Sequence, residues 1–271
     1  MKNITDFGLK YYAFDWDDNI LKMPTMVYLK TKDDRVVGMP TYEYSFKKSI
    51  IGKRQFKFNG NLIVGYDDEP FRDFLQGGDD RFIMDIKKAK IASSEIWKDF
   101  VEAINNGSIF SIITARGHNP ETIKNGIKNL IDISYEGIDR DKLINNLIGY
   151  HIITNSKFNN DYDWLITDYL NKCRFYPITY LHGTMSDPSE GKVKSMNDFL
   201  NYIEEQSKKV RISLVSYVNL DFNIKPSIGF SDDDIDNVNL IRDKIFREDF
   251  NISIYHTKNG KKIKIDLAKA K

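Results

Sequence analysis

Three clusters of polar residues each close a short apolar run: Asp15-Trp16-Asp17-Asp18-Asn19 after YYAF, Thr114-Ala115-Arg116-Gly117 after IFSII, and Asp232-Asp233-Asp234 after SIGFS. Carboxylates gathered at one point repel each other unless a cation sits among them. An oxygen-rich site with open positions suits Mg²⁺ together with a phosphate substrate. One carboxylate can attack phosphorus to give an aspartyl-phosphate, while a second protonates the leaving group and later activates water. Asp15 and Asp17 suit those two roles. A solvated acidic turn would explain either acid alone. It would not explain why two further polar clusters each end an apolar run downstream. By contrast, the acids of DDRVV and GGDDR read as solvated turns.

The clusters can meet only if the elements before them lie side by side. Tyr11 to Phe14 reads as a buried central strand that delivers acids at its carboxyl end, and in an open parallel sheet those ends share one edge, where ligands bind. Helical periodicity follows in SSEIWKDFVEAINNG, with Ile96, Trp97, Phe100, Val101 and Ile104 on one face, Ser94 as a cap and Gly107 after the end. The strand IFSIIT comes next. Asn119, Pro120 and Glu121 then start a helix with Ile123, Ile127, Leu130 and Ile131 inward. KVKSMNDFLNYIEEQ groups Met196, Phe199, Leu200 and Ile203. RISLVSYV and PSIGFS read as strands, SDDDIDNVNLIRDKIF as a turn into a helix, and NISIYHT as a last strand. Strand and helix alternation of this kind predicts an α/β fold, a doubly wound, Rossmann-like and mainly parallel sheet with helices on both faces.

Between the first strand and this core, MVYLKT, RVVGMPTYEYSF, RQFKF and NLIVGY are β-rich pieces broken by turn signals. They predict a small antiparallel insert over residues 25–85, leaving 1–24 and 86–271 as the core. Residues 134–190 read as a helix (DKLINNLI), strands (YHIIT, RFYPITYLHG) and polar loops whose packing the pattern leaves unassigned.

With 271 residues, 41% hydrophobic and 29% charged, the chain has ordinary globular composition, and 40 Lys and Arg against 39 Asp and Glu create no global field for a polyanion. Nucleic acid is thus a partner that net charge does not indicate. The single Cys173 suits a reducing compartment, and no apolar run reaches signal-peptide or membrane-spanning length, so the expectation is a cytoplasmic protein with no membrane partner. His118, His151, His182 and His256 lack metal-ligand spacing.

FDWDDNI resembles the first motif of the haloacid dehalogenase superfamily, SIITARG its second, and GFSDDDIDNV its fourth, in the family's order along the chain. The resemblance covers residues 9–24 and, with gaps, 107–257. It implies a Mg²⁺-dependent phosphatase in which Asp15 is nucleophile and metal ligand, and Asp17 is general acid/base and binds metal through its backbone carbonyl. Thr114 would hydrogen-bond the phosphoryl group. Asp232 would complete the metal site, with Asp233 or Asp236 supporting it through water. The family's third motif is a lone basic residue, for which Lys192 and Lys194 compete; Lys192 is preferred because Met196, Phe199 and Leu200 follow it at +4, +7 and +8. Lys194 and Arg116 are then candidate phosphate contacts. Asn19 stands where the family usually has Thr or Val, and SDDDID replaces the frequent GDxxxD.

An insert after the first motif acts in this family as a cap that selects the substrate. A small phosphomonoester is the default substrate, with a nucleotide or a nucleic-acid 3′-phosphate end as the specific case. Tyr42, Tyr44, Phe46, Phe56 and Phe58 read either as packing or as a stacking surface. The competing reading is a binding or regulatory module that keeps the fold without turnover. A receiver-type domain is disfavoured because its acidic pair precedes the phosphoacceptor, and dehalogenase chemistry because it leaves the fourth acidic cluster without a role.

Overall fold

The computed structural model describes residues 9–75, 78–157, 161–182, 188–218 and 225–266. The elements run, in chain order, β1 (Lys10–Phe14), β2 (Leu21–Lys22), β3 (Met26–Thr31), β4 (Val36–Pro40), α1 (Thr41–Lys47), β5 (Phe56–Phe58), β6 (Asn61–Tyr66), α2 (Arg72–Leu75), α3 (Gly78–Lys88) and β7 (Lys90–Ile91). They continue with α4 (Ser94–Asn105), β8 (Phe110–Thr114), α5 (Pro120–Asp132), a 3₁₀ turn at Tyr135–Gly137, α6 (Arg140–Ile153), α7 (Tyr162–Lys172), β9 (Arg174–Pro177) and α8 (Ile178–His182). The last are α9 (Pro188–Val218), β10 (Ser227–Asp232), α10 (Ile235–Lys244), β11 (Asn251–Lys258) and β12 (Lys261–Ile265).

Six strands form one sheet in the order β12-β11-β10-β1-β8-β9, parallel except for β12. β1 shows why it is central. Tyr12 and Phe14 enter the apolar core built with Ile96, Phe100, Ile127 and Leu165, while Tyr11 and Ala13 enter a second core with Met196, Phe199, Val238 and Ile241. Side chains alternate across a strand, so an unbroken apolar run is what a strand covered on both faces requires. Helices α4, α5, α6 and α7 supply the first layer, α9 and α10 the second. From β1 the chain steps outward through β8 and β9 and then returns to the other side of β1 as β10, so the strand order reverses at β1.

The insertion leaves the core after β2 and returns at β7, and these two short strands pair with each other. Within it, β3, β4, β5 and β6 form a four-stranded antiparallel sheet over a separate apolar cluster of Val27, Leu29, Met39, Ile51, Phe58 and Ile63. The boundary expected at residue 85 falls inside α3, whose Phe82 and Ile86 are buried in the main core against Trp16 and α5. The packing is close: a Cβ on Gly126 of α5 would stand 2.7 Å from both Ile86 and Phe82.

Several local expectations are corrected. TYEYSF, read as strand, is helix α1. Its aromatic and β-branched residues favour strands, but Phe46 lies on the surface, where no sheet neighbour reinforces that preference. YHIIT is the end of α6, because the buried set Leu143, Ile144, Leu147 and His151 carries the helical period through it. RISLVSYV extends α9, and in RFYPITYLHG the strand stops at Pro177 and α8 follows. The cap of α4 is Ser93 and not Ser94: its Oγ accepts from Ile96 N and donates to Gly260 O. Asn119 caps α5 with Pro120 at its start, as its sequence suggests. The polar stretches at 158–160 and 183–187 lie outside the described residues. Among the described residues, no helix is long and apolar enough to cross a membrane.

Candidate active site

β1, β8 and β10 end side by side, which brings Asp15, Thr114 and Asp232 to one sheet edge. After Phe14 the chain turns tightly. Asp15 N donates to Ser231 O, Asp18 N to Leu21 O, and Ile20 and Leu21 N to Trp16 O, with Asp18 at φ 55°, a left-handed position that Asp tolerates better than most residues. Asn19 pins the turn. Its Nδ2 donates to Asp15 O (3.0 Å), Ser231 O (3.1 Å) and Ser231 Oγ (3.0 Å), and its Oδ1 accepts from Thr257 (2.7 Å). Trp16 packs beneath, on Phe82 and Phe100.

The centre of the site is a buried ammonium. Lys192, near the start of α9, donates from Nζ to Asp15 Oδ1 at 2.8 Å and to Asp232 Oδ2 at 2.6 Å. The Asp15 side chain is 7% exposed, Lys192 3% and Asp232 0%, so the bridge is nearly dry. Lys194, its competitor, is exposed and stands outside the bridge. Asp232 also accepts from Asn237 Nδ2 at both oxygens (3.1 Å each) and from Asp234 N (2.9 Å), and Ser189 holds Asn237 from behind.

Asp15, Asp232 and Asp233 each offer a carboxylate oxygen within 4.8 Å of the others. Burial pushes the Asp15 carboxyl well above the usual range. Lys192 pulls against that, and Asp232 and Asp17 add to it. Asp233 is likewise pushed well up, by burial and then by Asp232, Asp15 and Asp18. Asp18 rises to about 6, chiefly through burial, and its Oδ1 is buried with no hydrogen-bond partner among the described residues. Fully ionised, three clustered carboxylates facing one ammonium leave two negative charges uncompensated, which is why protonation is favoured. An oxygen-only donor set with that charge and a nearby orphaned oxygen fits a hard divalent cation such as Mg²⁺, held by Asp15, Asp232 and Asp233. Asp236, also expected at the metal, is outside this cluster. It is 68% exposed and pairs with Lys48 (3.1 Å), because the helical turn after Asp234 carries it away from the edge.

Asp17 is not free. Arg116 grips it with Nε on Oδ2 (2.8 Å) and Nη2 on Oδ1 (2.6 Å), and the same Nη2 donates to Thr25 Oγ1 (2.6 Å). Arg116 is fully buried against the rings of Phe74 and Phe82. The side chain read as a phosphate contact is thus engaged by an acid of the site. Thr114 is buried at the end of β8, where its Oγ1 accepts weakly from Arg116 N (3.4 Å).

The insertion closes over this edge. Thr41, at the start of α1, hydrogen-bonds Asp18, and Lys48, just past its end, reaches Asp234 (2.6 Å) and Asp236. Two surface clefts, of about 530 Å³ beside α4 and about 240 Å³ along β10 and β11, lie elsewhere and are not lined by the acids.

Motif reading therefore reached Asp15, Asp17, Thr114, Lys192, Asp232 and Asp233, and missed the residues that hold them. Asn19 carried a signal in its departure from the usual Thr or Val. Asn237, Thr25, Thr41 and Lys48 carried none, because their roles depend on distant partners. No protein-family model, no curated protein and no solved structure matches the chain.

Proposed function

We propose that this chain is a Mg²⁺-dependent phosphohydrolase of the haloacid dehalogenase-like kind, on a doubly wound, Rossmann-like core, working through an aspartyl-phosphate on Asp15. The observation that carries the reading is the buried Lys192 joining Asp15 to Asp232 inside a three-carboxylate cluster, from segments 177 and 40 residues apart. Such a bridge holds a nucleophile in one orientation and places positive charge where a phosphoryl group would arrive.

Asp15 attacks phosphorus and the ester oxygen departs, taking a proton from Asp17. Asp17 then removes a proton from water, the water oxygen attacks phosphorus, and the Asp15 carboxylate leaves with release of inorganic phosphate. Thr114 donates its hydroxyl to a phosphoryl oxygen, and Lys192 keeps Asp15 aimed. Bound Mg²⁺ supplies the counter-charge that keeps the clustered carboxylates ionised and offsets the charge of the phosphate. Thr41 and Lys48 hold the insertion over the edge, which excludes water.

A second reading, a binding module without turnover, is favoured by the grip of Arg116 on Asp17, which competes with proton transfer. One experiment separates them: phosphate release from sugar phosphates, nucleotides and 3′-phosphorylated oligonucleotides, with Mg²⁺ and with EDTA. Metal-dependent release is expected, abolished in Asp15→Asn and slowed by orders of magnitude in Asp17→Asn. Full activity in Asp15→Asn would refute the nucleophile. No release from any ester, with a phosphate analogue still raising the melting temperature, would establish the binding module.

A further inference from the structure

Asn19 stands where the first haloacid dehalogenase motif usually has Thr or Val, and it makes bonds that neither of those residues could make. A carboxamide carries two N–H donors and an oxygen acceptor, whereas a Thr hydroxyl has one donor and Val has none. Here Nδ2 reaches Asp15 O at 3.0 Å, Ser231 O at 3.1 Å and Ser231 Oγ at 3.0 Å, so its two hydrogens serve three oxygens. Oδ1 accepts from the Thr257 hydroxyl at 2.7 Å. That bond agrees with only one orientation of the amide. Turned over, Oδ1 would face two backbone carbonyls. Asn19 is 0% exposed, and Ser231 and Thr257 are buried, so no bulk water stands in for a lost partner.

The network converges on the backbone of Asp15. Asp15 N donates to Ser231 O (2.9 Å), the same carbonyl that accepts from Asn19, and Asp15 O accepts from Asn19 directly. Residue 15 is therefore gripped on both sides of its Cα, while Lys192 holds the carboxylate end. The turn's own backbone bonds close it without this grip, because Asp18 N bonds Leu21 O and the Ile20 and Leu21 amides bond Trp16 O. Thr257 comes from near the end of β11, two strands from β1 in the sheet and 238 residues from Asn19. Both side chains are buried, so what they govern is the aim of Asp15 and not contact with a substrate.

We propose that Asn19 and Thr257 form one positioning unit for Asp15: the Thr257 hydroxyl fixes the Asn19 amide, and the amide fixes the backbone that carries the carboxylate. What Asp15 then does rests on the phosphohydrolase reading, whereas the unit itself rests on the geometry alone. Two consequences separate it from ordinary packing. Only the hydroxyl of Thr257 matters, so Ser can replace it and Val cannot. Once Asn19 is gone, Thr257 has nothing left to orient, so the two substitutions are not additive.

The test is hydrolysis of p-nitrophenyl phosphate with Mg²⁺, read as kcat and KM separately and well below the melting temperature, together with amide hydrogen exchange over residues 15–21. Thr257→Val is expected to lower kcat by about 10- to 100-fold with KM within about 2-fold of the parent, since about 1 Å of misplacement suffices for the larger loss. Thr257→Ser keeps the hydroxyl and is expected to stay within about 3-fold of the parent in kcat. Asn19→Leu is expected to lose about 100-fold, and adding Thr257→Val to it no more than about 2-fold further. Exchange at the Asp15 amide should quicken in Thr257→Val and not in Thr257→Ser. An unchanged kcat in Thr257→Val, an equal loss in Thr257→Ser, or additive losses in the double variant overturns the unit and leaves the reaction standing. If the parent hydrolyses no ester, the exchange decides. Faster exchange confined to residues 15–21 in Thr257→Val alone then supports the unit and overturns the reaction, and unchanged exchange overturns both. Should Asn19→Leu fail to fold, the two Thr257 variants decide between the same outcomes.

Discussion

Replacing Lys192 by Met tests the centre of the site while nearly conserving side-chain volume. The ammonium makes two charge-assisted hydrogen bonds, at 2.8 and 2.6 Å, to carboxylates that are almost wholly buried. Each such bond contributes about 1.5–3 kcal/mol, and breaking a buried ion pair costs about 3–5 kcal/mol because the remaining charge is left uncompensated. Both routes converge on a loss of about 4 kcal/mol at pH 7.5, or about 8–16 °C in melting temperature for a chain of this size. The assay is urea unfolding with Lys194→Met as control, since Lys194 is exposed and should stay within about 0.5 kcal/mol of the parent. The deficit of Lys192→Met should shrink as the pH falls, because protonating Asp15 removes the charge that the lysine compensated. An unchanged stability in Lys192→Met, or an equal loss in Lys194→Met, would refute the assignment of Lys192 as the bridging cation.

Mg²⁺ at about 100 times its dissociation constant should stabilise the protein by about 2.7 kcal/mol, and Asp233→Asn should lose most of that gain. Because burial raises the Asp15 and Asp233 carboxyls well above their ordinary range, metal binding must displace protons, so calorimetry should show affinity increasing as the pH rises. His118, packed on Phe82, has its pKa lowered to about 4 by burial and then by Arg116. The folded state therefore resists protonation that the unfolded chain accepts near pH 6.5. Stability present above pH 6.5 is lost as pH falls toward 4, by about 2–3 kcal/mol, and unfolding of His118→Asn across that window should show a correspondingly smaller loss. Gly126→Ala should destabilise by about 1–2 kcal/mol in denaturant unfolding despite the better helix propensity of Ala, since its Cβ would collide with Phe82 and Ile86.

The core elements were legible because their patterns are local. Tyr11 to Phe14, Phe110 to Ile113 and the helices around Phe100 and Ile127 each announce themselves by apolar runs or a 3.6-residue period, and each strand bearing a candidate site residue ends in a polar cluster. Reading failed where local preference and tertiary setting disagree. TYEYSF and RISLVSYV have strand-like composition and are helices. α3 follows the insertion's four-stranded sheet in the chain, yet it buries Phe82 and Ile86 in the main core.

The candidate residues Asp15, Asp17, Thr114, Asp232 and Asp233 were legible in the sequence as polar groups at strand ends, and the structure places those strand ends along one edge. The sequence preferred Lys192 to Lys194, and the tertiary structure places Lys192 in the bridge; tertiary structure alone decided that Asp236 leaves the cluster for Lys48 and that Arg116 holds Asp17. The reason is physical. A strand fixes the direction of its own last residue, but which cation is buried beside a carboxylate depends on distances between segments 40 to 177 residues apart, and no spacing along the chain records those distances.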